Sequence, residues 1–495
     1  MKKLSLILIF FLFNLIYLYP QHSIWPQFRG INSSGIAHHE SNPPENFGLN
    51  ESLIWKTDLM PGFSSPCIWD NHIFLTGLDA DSQTFFIYAL ERKSGEIIWK
   101  RAVEVEKLER VHAVSSPANA TPATDGLRVY VYIPSFGLLC FDYEGSEIWS
   151  VPIEMPLARF GMGTSPVVSG EMVYLHLAGD EQNPRFMAFN KTDGSIAWKK
   201  KFNKAQAGGY STPVIQDDYS YIFRAPEIAC YNKMTGDPVW TFANNTGGHS
   251  TPVLMNKVLY VGTHASHGVG DPVARQDFPD FDELCSEYDL DKDSLVSFKE
   301  FPEDMKLLQR PEVSEEFGGF FVFKTAWAYM DRDKNDKLTS KEWQPMLDMM
   351  EKMYTEHGLV AIELGGKGDV SLTHQLWKES EGVPEVPSPL ACHDRIYMVK
   401  NGGIITCRDA ATGEMIYQER LGAPGPYFSS PIIAGGKLYA CSRNGVVSVV
   451  RLGDEYKLLT QTDLDANINA SPAVVDNVLY IRTDETLYAF GRAGN

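Results

Sequence analysis

Short runs of alternating apolar and polar residues recur along most of the chain, and each run opens with a Ser-Pro or Thr-Pro pair. After Pro166, for example, Val167 and Val168 are followed by a turn and then by Met172 to Tyr174. This alternation predicts two strands joined by a tight turn. The pairs place proline at eight positions: Pro66, Pro122, Pro166, Pro213, Pro252, Pro389, Pro431 and Pro472.

A second element follows these runs. It consists of a small residue, an apolar residue and an acidic or amide residue, then a turn glycine and an aromatic residue four positions later. It predicts two more strands joined at the glycine, where a positive φ requires no Cβ. Four strands in a repeat of about 40–50 residues are typical of a β-propeller blade. Five copies are Ala89 to Trp99, Cys140 to Trp149, Ala188 to Trp198, Cys230 to Trp240 and Cys407 to Tyr417.

The eight starts predict eight blades, although the last blade, from Pro472 to Phe490, has only three strands. Leu53 to Lys56 has the sequence of an outer strand without inner strands of its own, so we expect it to complete the last blade. A ring closed by both ends of the chain leaves no open sheet edge to aggregate. The predicted fold is all-β, an eight-bladed β-propeller with an inserted α-helical segment.

The spacing between Pro252 and Pro389 is about three times that between the other pairs, which predicts an insertion in the fifth blade. Within it the alternation gives way to helical spacing. We therefore divide the chain into four parts. A signal peptide (1–22) is followed by blades one to four with the first part of blade five (23–270). An insertion (271–364) is followed by the remainder of blade five and blades six to eight (365–495). Helices are predicted at Phe281–Tyr288, Phe298–Leu308, Phe321–Met330 and Lys341–Glu356.

The insertion contains two twelve-residue segments with acidic or amide side chains at positions 1, 3 and 5 and glutamate at position 12. This is the pattern of an EF-hand calcium loop, in which alternate side chains of a tight loop converge on a cation that prefers six to eight hard oxygens. Position 7 contributes its backbone carbonyl. The candidate ligands are Asp289, Asp291, Asp293, Leu295, Ser297 and Glu300 in the first loop, and Asp331, Asp333, Asn335, Lys337, Thr339 and Glu342 in the second.

Both loops depart from the EF-hand pattern at position 6, where Ser294 and Asp336 replace the usual glycine. That position requires a left-handed backbone, which we expect to weaken the first site without abolishing it. An all-oxygen ligand set suits calcium and neither zinc nor copper, so we predict two Ca²⁺ sites. The alternative is a solvated acidic helical hairpin without metal.

Charge and cysteine content exclude several classes of protein. Asp and Glu number 63 against 44 Lys and Arg, a net charge of −19, which disfavours nucleic acid as a partner. The seven cysteines include no neighbouring pair and no CxxC spacing, so neither a disulfide framework nor a cysteine zinc site is predicted. Cys140, Cys230 and Cys407 occupy a repeat position that elsewhere holds Ala or Ser, and we expect them to be small buried residues.

The chain begins with two lysines followed by a mostly apolar run from Leu4 to Tyr19. This is the arrangement of a secretory signal, and the run is short for a transmembrane helix of roughly 20 residues. The candidate cleavage region, Tyr17 to His22, lacks a small-x-small pattern. We expect an exported protein, periplasmic or secreted, which keeps the segment as an N-terminal anchor if it is not cleaved.

The motif Trp25-Pro26-Gln27-Phe28-Arg29-Gly30, together with the repeated Gly-x-x-x-Trp turns, resembles exported quinoprotein-like (PQQ-repeat) propellers. That fold is shared with quinone-dependent alcohol dehydrogenases and with the propeller of the outer-membrane β-barrel assembly machinery. The resemblance covers almost all of residues 24–491 except the EF-hand insertion. It implies a fold and does not by itself imply that the quinone binds.

The alcohol dehydrogenases of this group stack their quinone on a disulfide between neighbouring cysteines, and the absence of such a pair weakens the case for pyrroloquinoline quinone (PQQ). The segments before each Ser/Thr-Pro pair should surround a central funnel that suits a small polar ligand. They contribute Phe63, His112, Arg159, Phe160, Tyr210, His249, Tyr427, Phe428, Asn467 and Asn469. Ordinary loop chemistry in a repeat is the alternative.

The sequence thus favours a non-catalytic, calcium-binding scaffold or binding protein of the cell envelope, with no catalytic residues assigned. We expect a monomer whose partner is an unknown envelope protein or a small polar ligand at the funnel. The alternative is a PQQ-dependent dehydrogenase acting on an alcohol or sugar. A third hypothesis is a partner-docking component of envelope assembly.

Overall fold

The computed structural model describes residues 24–203, 209–244, 246–264, 277–309 and 320–491. The predicted signal peptide and parts of the insertion lie outside these ranges. Eight sheets are arranged as blades of a propeller, which confirms the predicted fold. Within the described ranges, no helix combines the length and the apolar character that crossing a bilayer would require.

Each blade runs from an innermost strand, directly after a Ser/Thr-Pro pair, to an outermost strand. Strands are numbered along the chain. Blade one comprises β3 Cys67–Trp69, β4 His72–Asp79, β5 Thr84–Glu91 and β6 Ile97–Glu104, and blade two comprises β7 Ala123–Thr124, β8 Arg128–Ile133, β9 Gly137–Asp142 and β10 Glu147–Pro152. Blade three comprises β11 Val167–Ser169, β12 Met172–Leu177, β13 Arg185–Asn190 and β14 Ile196–Lys201. Blade four comprises β15 Val214–Gln216, β16 Tyr219–Arg224, β17 Glu227–Asn232 and β18 Pro238–Ala243.

Blades five to eight repeat this order, and blade four gains a short fifth strand, β26 Gly368–Asp369, which pairs in parallel with β18. Blade five comprises β19 Val253–Met255, β20 Val258–Thr263, β25 Gly358–Glu363 and β27 Gln375–Glu379, and blade six comprises β28 Leu390–Cys392, β29 Arg395–Lys400, β30 Ile404–Asp409 and β31 Met415–Arg420. Blade seven comprises β32 Ile432–Ala434, β33 Lys437–Cys441, β34 Val446–Arg451 and β35 Lys457–Asp463. Blade eight contains β36 Ala473–Val475, β37 Val478–Arg482 and β38 Thr486–Phe490.

The eighth blade is completed by a strand from the N-terminal part of the chain, as predicted. β2 (Leu53–Asp58) pairs antiparallel with β38, with Trp55 opposite Ala489. The chain thus closes its own ring, and the outer edge of β38 is covered.

The repeated tryptophans join neighbouring blades. Five of the rings lie on the turn glycine of the following blade, and the indole N–H of each donates to a backbone carbonyl beside that turn. A Cβ on Gly145, for example, would lie 2.7 Å from the ring of Trp99, so the turn must be glycine. The bonds run from Trp55 to Arg92, from Trp99 to Tyr143, from Trp149 to Lys191, from Trp198 to Lys233 and from Trp377 to Ala410, at 2.7–3.0 Å.

The insertion leaves blade five after β20 and returns at β25, which pairs directly with β20. β25 therefore begins at Gly358, within the range 271–364 that the sequence analysis assigned to the insertion. Inside the insertion lie α1 Phe281–Tyr288, β21 Val296–Ser297, β22 Lys306–Gln309, β23 Phe320–Val322, a 3-10 turn at Phe323–Ala326, α2 Trp327–Met330, β24 Lys337–Leu338 and α3 Ser340–Glu356.

The predicted helix at Phe298–Leu308 is wrong, because that stretch forms turns and then the strand β22. Pro302 explains the difference. It has no backbone N–H to donate to Phe298, and its ring disfavours helical geometry at Phe301. The first predicted helix is present with the predicted bounds, and the last begins one residue earlier, at Ser340. The third is split into a 3-10 turn and the short α2.

Residues 24–37 lie across the central channel of the propeller. β1 (Ile24–Trp25) pairs with β3 of blade one, and the carbonyl of Pro26 accepts from Thr124 of blade two. A 3-10 turn at Ile31–Ser33 packs against β15 of blade four, and Gly35 bonds to Ile433 of blade seven at 2.8 Å. We call this segment the N-terminal plug, because it contacts innermost strands all around the ring.

Arg29 anchors the plug to blade six. Its side chain is fully buried, and Nη2 donates to the carbonyl of Pro389 at 2.6 Å. Burial lowers the pKa of Arg29 to about 9. The motif Trp25 to Gly30, which carried the family resemblance, is therefore part of a structural element that seals the channel.

Candidate functional site

In the part of the chain that the structure describes, polar side chains concentrate in the acidic loops of the insertion and in the funnel above the N-terminal plug. In each predicted loop, three carboxylates approach within 4.8 Å of one another. The groups are Asp289, Asp291 and Asp293 in the first loop, and Asp331, Asp333 and Glu342 in the second.

The two loops have the same internal hydrogen bonds. In the first, Oε2 of Glu300 accepts from the backbone N–H and the hydroxyl of Ser297, at 2.9 and 2.7 Å. In the second, Oε2 of Glu342 accepts from the corresponding groups of Thr339, at 3.0 and 2.8 Å. These bonds lower the pKa of both glutamates, that of Glu300 to about 2, so both are ionised at neutral pH.

The loops also meet each other. β21 and β24 pair with Val296 opposite Leu338, the two position-8 residues. Ser294 and Asp336 adopt φ of +66° and +67°, the left-handed backbone that position 6 requires. The apolar core between the helices is built from Phe301, Phe323, Trp327 and Trp343 among others.

The loops differ in exposure and in charge. Asp331 and Glu342 are only 6% and 8% exposed, whereas Asp291 and Asp293 of the first loop are exposed. The ammonium group of Lys337, from the second loop, forms an ion pair with Asp293 and lies 3.8 Å from Asp291. The second loop is therefore the more enclosed, and the first shares its carboxylates with an internal cation.

Other predicted ligands lie on the same loops but outside these carboxylate groups. Leu295 and Lys337 would contribute only backbone carbonyls, and Ser297 and Thr339 hold the closing glutamates. Asn335 donates to Asp333 at 3.0 Å, and its carbonyl oxygen accepts from the backbone of Lys337 at 2.8 Å. The atoms that these loops could offer to a metal ion are all oxygens, a ligand set that fits calcium.

The funnel is a cavity of about 490 Å³, and its lining contains a ring of eight hydroxyls. These are the Ser and Thr residues that precede the recurrent prolines. The backbone N–H of each donates to the hydroxyl of the next blade, and the eighth bond returns to the first blade. In order, the members are Ser65, Thr121, Ser165, Thr212, Thr251, Ser388, Ser430 and Ser471, with distances of 2.9–3.3 Å.

We call these eight residues the hydroxyl belt. Replacing Thr212 with valine should remove one acceptor and leave the buried N–H of Ser165 without its partner. We expect the free energy of unfolding to fall by about 1–3 kcal/mol, measured by urea denaturation. Thr192, an exposed threonine on the turn between the third and fourth strands of blade three, is the matched control, and its valine variant should change stability by less than about 0.5 kcal/mol. Equal losses in both variants would contradict a belt that stabilises the ring.

Above the belt, the lining combines aromatic rings with a few charged and amide groups. His249 lies flat against Tyr210 at 5.0 Å between ring centroids, and the ring of Phe160 meets both edge-on. Burial lowers the pKa of His249, so its imidazole is neutral at pH 7. Arg443 and Glu385 supply one charge of each sign.

Of the ten predicted funnel residues, seven line the cavity: Phe63, His112, Phe160, Tyr210, His249, Phe428 and Asn469. The other three do not. Arg159 packs on Phe160 at 5.4 Å, Tyr427 is buried and donates to the carbonyl of Ala423, and Asn467 bonds to Asp484.

Sequence reasoning missed Phe28, Asn401 and Arg443, which come from the plug and from loops outside the Ser/Thr-Pro segments. It also missed Glu385, although this residue lies only three positions before Ser388. It also missed the hydroxyl belt, although the recurrence of Ser or Thr before proline was the available signal.

The family model described as outer membrane protein assembly factor BamB matches residues 83–212, 183–275 and 358–494, more than half of the chain. The chain belongs to this family. The matched ranges contain seven of the eight Ser/Thr-Pro starts but not the acidic loops. No curated protein matches the chain significantly.

Solved structures share the propeller fold with this BamB-family chain. BamB from Moraxella catarrhalis is 13% identical with a TM-score of 0.54, over 90% of this chain and 98% of that one. A europium-containing methanol dehydrogenase is 10% identical with a TM-score of 0.58, over 95% and 98%. The quinohemoprotein alcohol dehydrogenase ADHIIG from Pseudomonas putida HK5 is 13% identical with a TM-score of 0.54, over 96% and 81%. At these identities the likeness shows the fold alone.

The funnel residues do not fit PQQ, the quinone of the dehydrogenases. PQQ is a planar tricarboxylate, whereas the described lining supplies one guanidinium, Arg443, offset by the carboxylate of Glu385. Cys140 and Cys230 are buried within blades and none of the seven cysteines belongs to the lining. Burial raises the pKa of both thiols to about 12, so they are protonated at neutral pH.

Proposed function

We propose that this BamB-family propeller is an extracytoplasmic calcium-binding protein that acts as a non-catalytic binding or scaffold protein of the cell envelope. The observation that carries the calcium part is the matched geometry of the two loops, which bring three carboxylates each within 4.8 Å and pair through Val296 and Leu338. The same closing hydrogen bonds in both loops, and the pairing of the loops with each other, support a shared role in holding cations.

The scaffold role is supported by the family and by the form of the ring. A propeller closed by its own N-terminal strand and sealed by a plug presents rigid loop faces for a partner. The signal-like N-terminus and the family description favour an envelope location and a protein partner. The charge of −19 argues against nucleic acid.

Calcium would order the insertion. The residues that would hold it are the loop carboxylates, with the backbone carbonyls of Leu295 and Lys337 and the side chain of Asn335. The ion would compensate carboxylates that otherwise repel each other. Affinity in the range of about 10⁻⁴–10⁻³ M is typical of extracellular modules of this kind.

The test is isothermal titration of the metal-stripped mature protein with calcium, followed by PQQ in the same cell. We expect two calcium ions to bind and the quinone to give no heat, with no quinone-dependent reduction of a dye by alcohols or sugars. Magnesium in place of calcium is the control for a non-specific acidic surface. Saturable quinone binding with dye reduction would overturn the non-catalytic role, and no calcium heat would overturn the metal sites.

A further inference from the structure

The funnel is open to ligands from the loop face and closed beneath by the N-terminal plug, whose Phe28 belongs to the lining. A linear polymer therefore cannot thread through the channel, and only a small molecule or the end of a chain can enter. Its volume of about 490 Å³ is within the range of small-molecule sites.

The lower part of the funnel is rich in hydrogen-bond donors. Among the described residues, each hydroxyl of the belt accepts one backbone N–H and shows no bond that uses its own proton. Asn401 uses its carbonyl oxygen to accept from Tyr427, so its amide N–H groups are available to the cavity. These neutral donors would meet the oxygens of a ligand without requiring it to be charged.

Acceptors are present in the same cavity. The side-chain nitrogen of Asn469 donates to Asp484 at 2.8 Å, which orients the amide. Its carbonyl oxygen is buried and has no partner among the described residues. A buried acceptor without a partner is costly, and a ligand hydroxyl would satisfy it. Nδ1 of His249 is likewise buried without a partner in the described structure.

Flat aromatic surfaces and balanced charge complete the chemistry. Tyr210, His249 and Phe160 form one wall of the cavity. Tyr210 and His249 cover one face of each other, so the C–H face of a sugar ring would pack on their outer faces or on Phe160. Arg443 and Glu385 contribute opposite charges, so the lining does not select for an anion or a cation.

We propose that the funnel binds a neutral saccharide, one or two sugar rings deep, entering as a free sugar or as the end of a glycan chain. Sugars carry hydroxyls that both donate and accept, together with an apolar C–H face, which is the combination this cavity offers. The site lies on the propeller and is independent of the calcium proposal.

The test is isothermal titration of the mature protein with maltose, cellobiose and N,N′-diacetylchitobiose, with succinate as the anionic comparison. We expect at least one disaccharide to bind with a Kd of about 0.1–1 mM and succinate not to bind. Tyr210→Ala should weaken that affinity by about 10-fold, because it removes part of the aromatic wall and the ring that holds His249 in place. Tyr219→Ala, an exposed tyrosine on blade four outside the funnel, should leave it unchanged.

A free sugar and the end of a glycan chain are distinguished by titrating the hexasaccharide built from the same sugar units as the disaccharide that binds. Equal affinity per chain end would support capture of a glycan end, and loss of binding would assign the site to free sugars. Affinity that rises with the number of internal rings would contradict a blind funnel. If none of the three disaccharides binds, or if succinate binds in their place, the proposal is wrong. Urea midpoints of both tyrosine variants confirm that each is folded before it is titrated.

Discussion

Replacing Trp55 with alanine is expected to lower the free energy of unfolding by about 3–5 kcal/mol, the range for removing a large buried aromatic side chain. Trp55 is 8% exposed and lies on β2, the strand that completes blade eight. Its ring packs on Gly95 of blade one, and its Nε1 donates to the carbonyl of Arg92 at 3.0 Å. The same side chain thus holds the closing strand and docks the last blade on the first.

The measurement is urea unfolding followed by far-ultraviolet circular dichroism, with Ile54→Ala as the control. Ile54 is the preceding residue on the same strand and is 43% exposed, so its loss should cost less than about 1 kcal/mol. We also expect Trp55→Ala to aggregate sooner, since release of β2 exposes the edge of β38. Similar midpoints for the two variants would contradict a ring that depends on this closure.

The propeller could be predicted because its information is local and repeated. Each Ser/Thr-Pro pair, glycine turn and outer tryptophan marks one blade. A degenerate copy can therefore still be assigned to a blade from the spacing of the other copies. The role of Leu53 to Lys56 could be predicted because blade eight had only three strands in the sequence, and this segment has the pattern of an outer strand without inner strands of its own. The EF-hand-like loops were visible because their pattern spans only twelve residues each.

Features that depend on contacts distant in sequence could not be predicted. Residues 24–37 look like an ordinary loop with an aromatic motif, and only the assembled ring shows that they plug its channel. Arg29 would be expected at the surface by residue type, yet it is fully buried and bonds to Pro389, 360 residues away. The hydroxyl belt is similar, because each bond joins residues of different blades and the pattern is meaningful only when the eighth member returns to the first.

The misplaced helix at Phe298–Leu308 has a different origin. In the EF-hand pattern a helix follows each loop, and the helix at Phe298–Leu308 was predicted on that basis. Pro302 within this stretch disfavours a helix, and the prediction did not take it into account. The second loop has Pro345 five residues into α3, where the helix nevertheless continues to Glu356. Packing of Trp343, Met346 and Met350 in the core of the insertion accompanies that helix. A proline alone therefore does not end a helix, and in the second copy the packing of α3 offsets the hydrogen bond that Pro345 cannot donate.

Glu342→Gln should reduce calcium binding from two ions to one, with a loss of about 100-fold or more in affinity at the second loop. The glutamate at position 12 closes the site with two charged oxygens, whereas glutamine offers one neutral oxygen and an amide that repels the cation. Glu300→Gln should have the same effect at the first loop, and the double variant should bind no calcium. Isothermal titration gives the stoichiometry of each variant, and Glu287→Gln on the exposed face of α1 is the control that keeps two ions.

The two single variants should also differ from each other. The second loop is the more enclosed and does not share its carboxylates with Lys337, so the site that remains in Glu300→Gln should be the tighter one. In Glu342→Gln, calcium at the remaining first site must displace the Lys337 ammonium from Asp293, so this site should bind calcium more weakly than the second site does in Glu300→Gln. If both single variants still bind two ions, the loop assignment is wrong. If neither binds any, the loops fold as one unit and the sites are not separable.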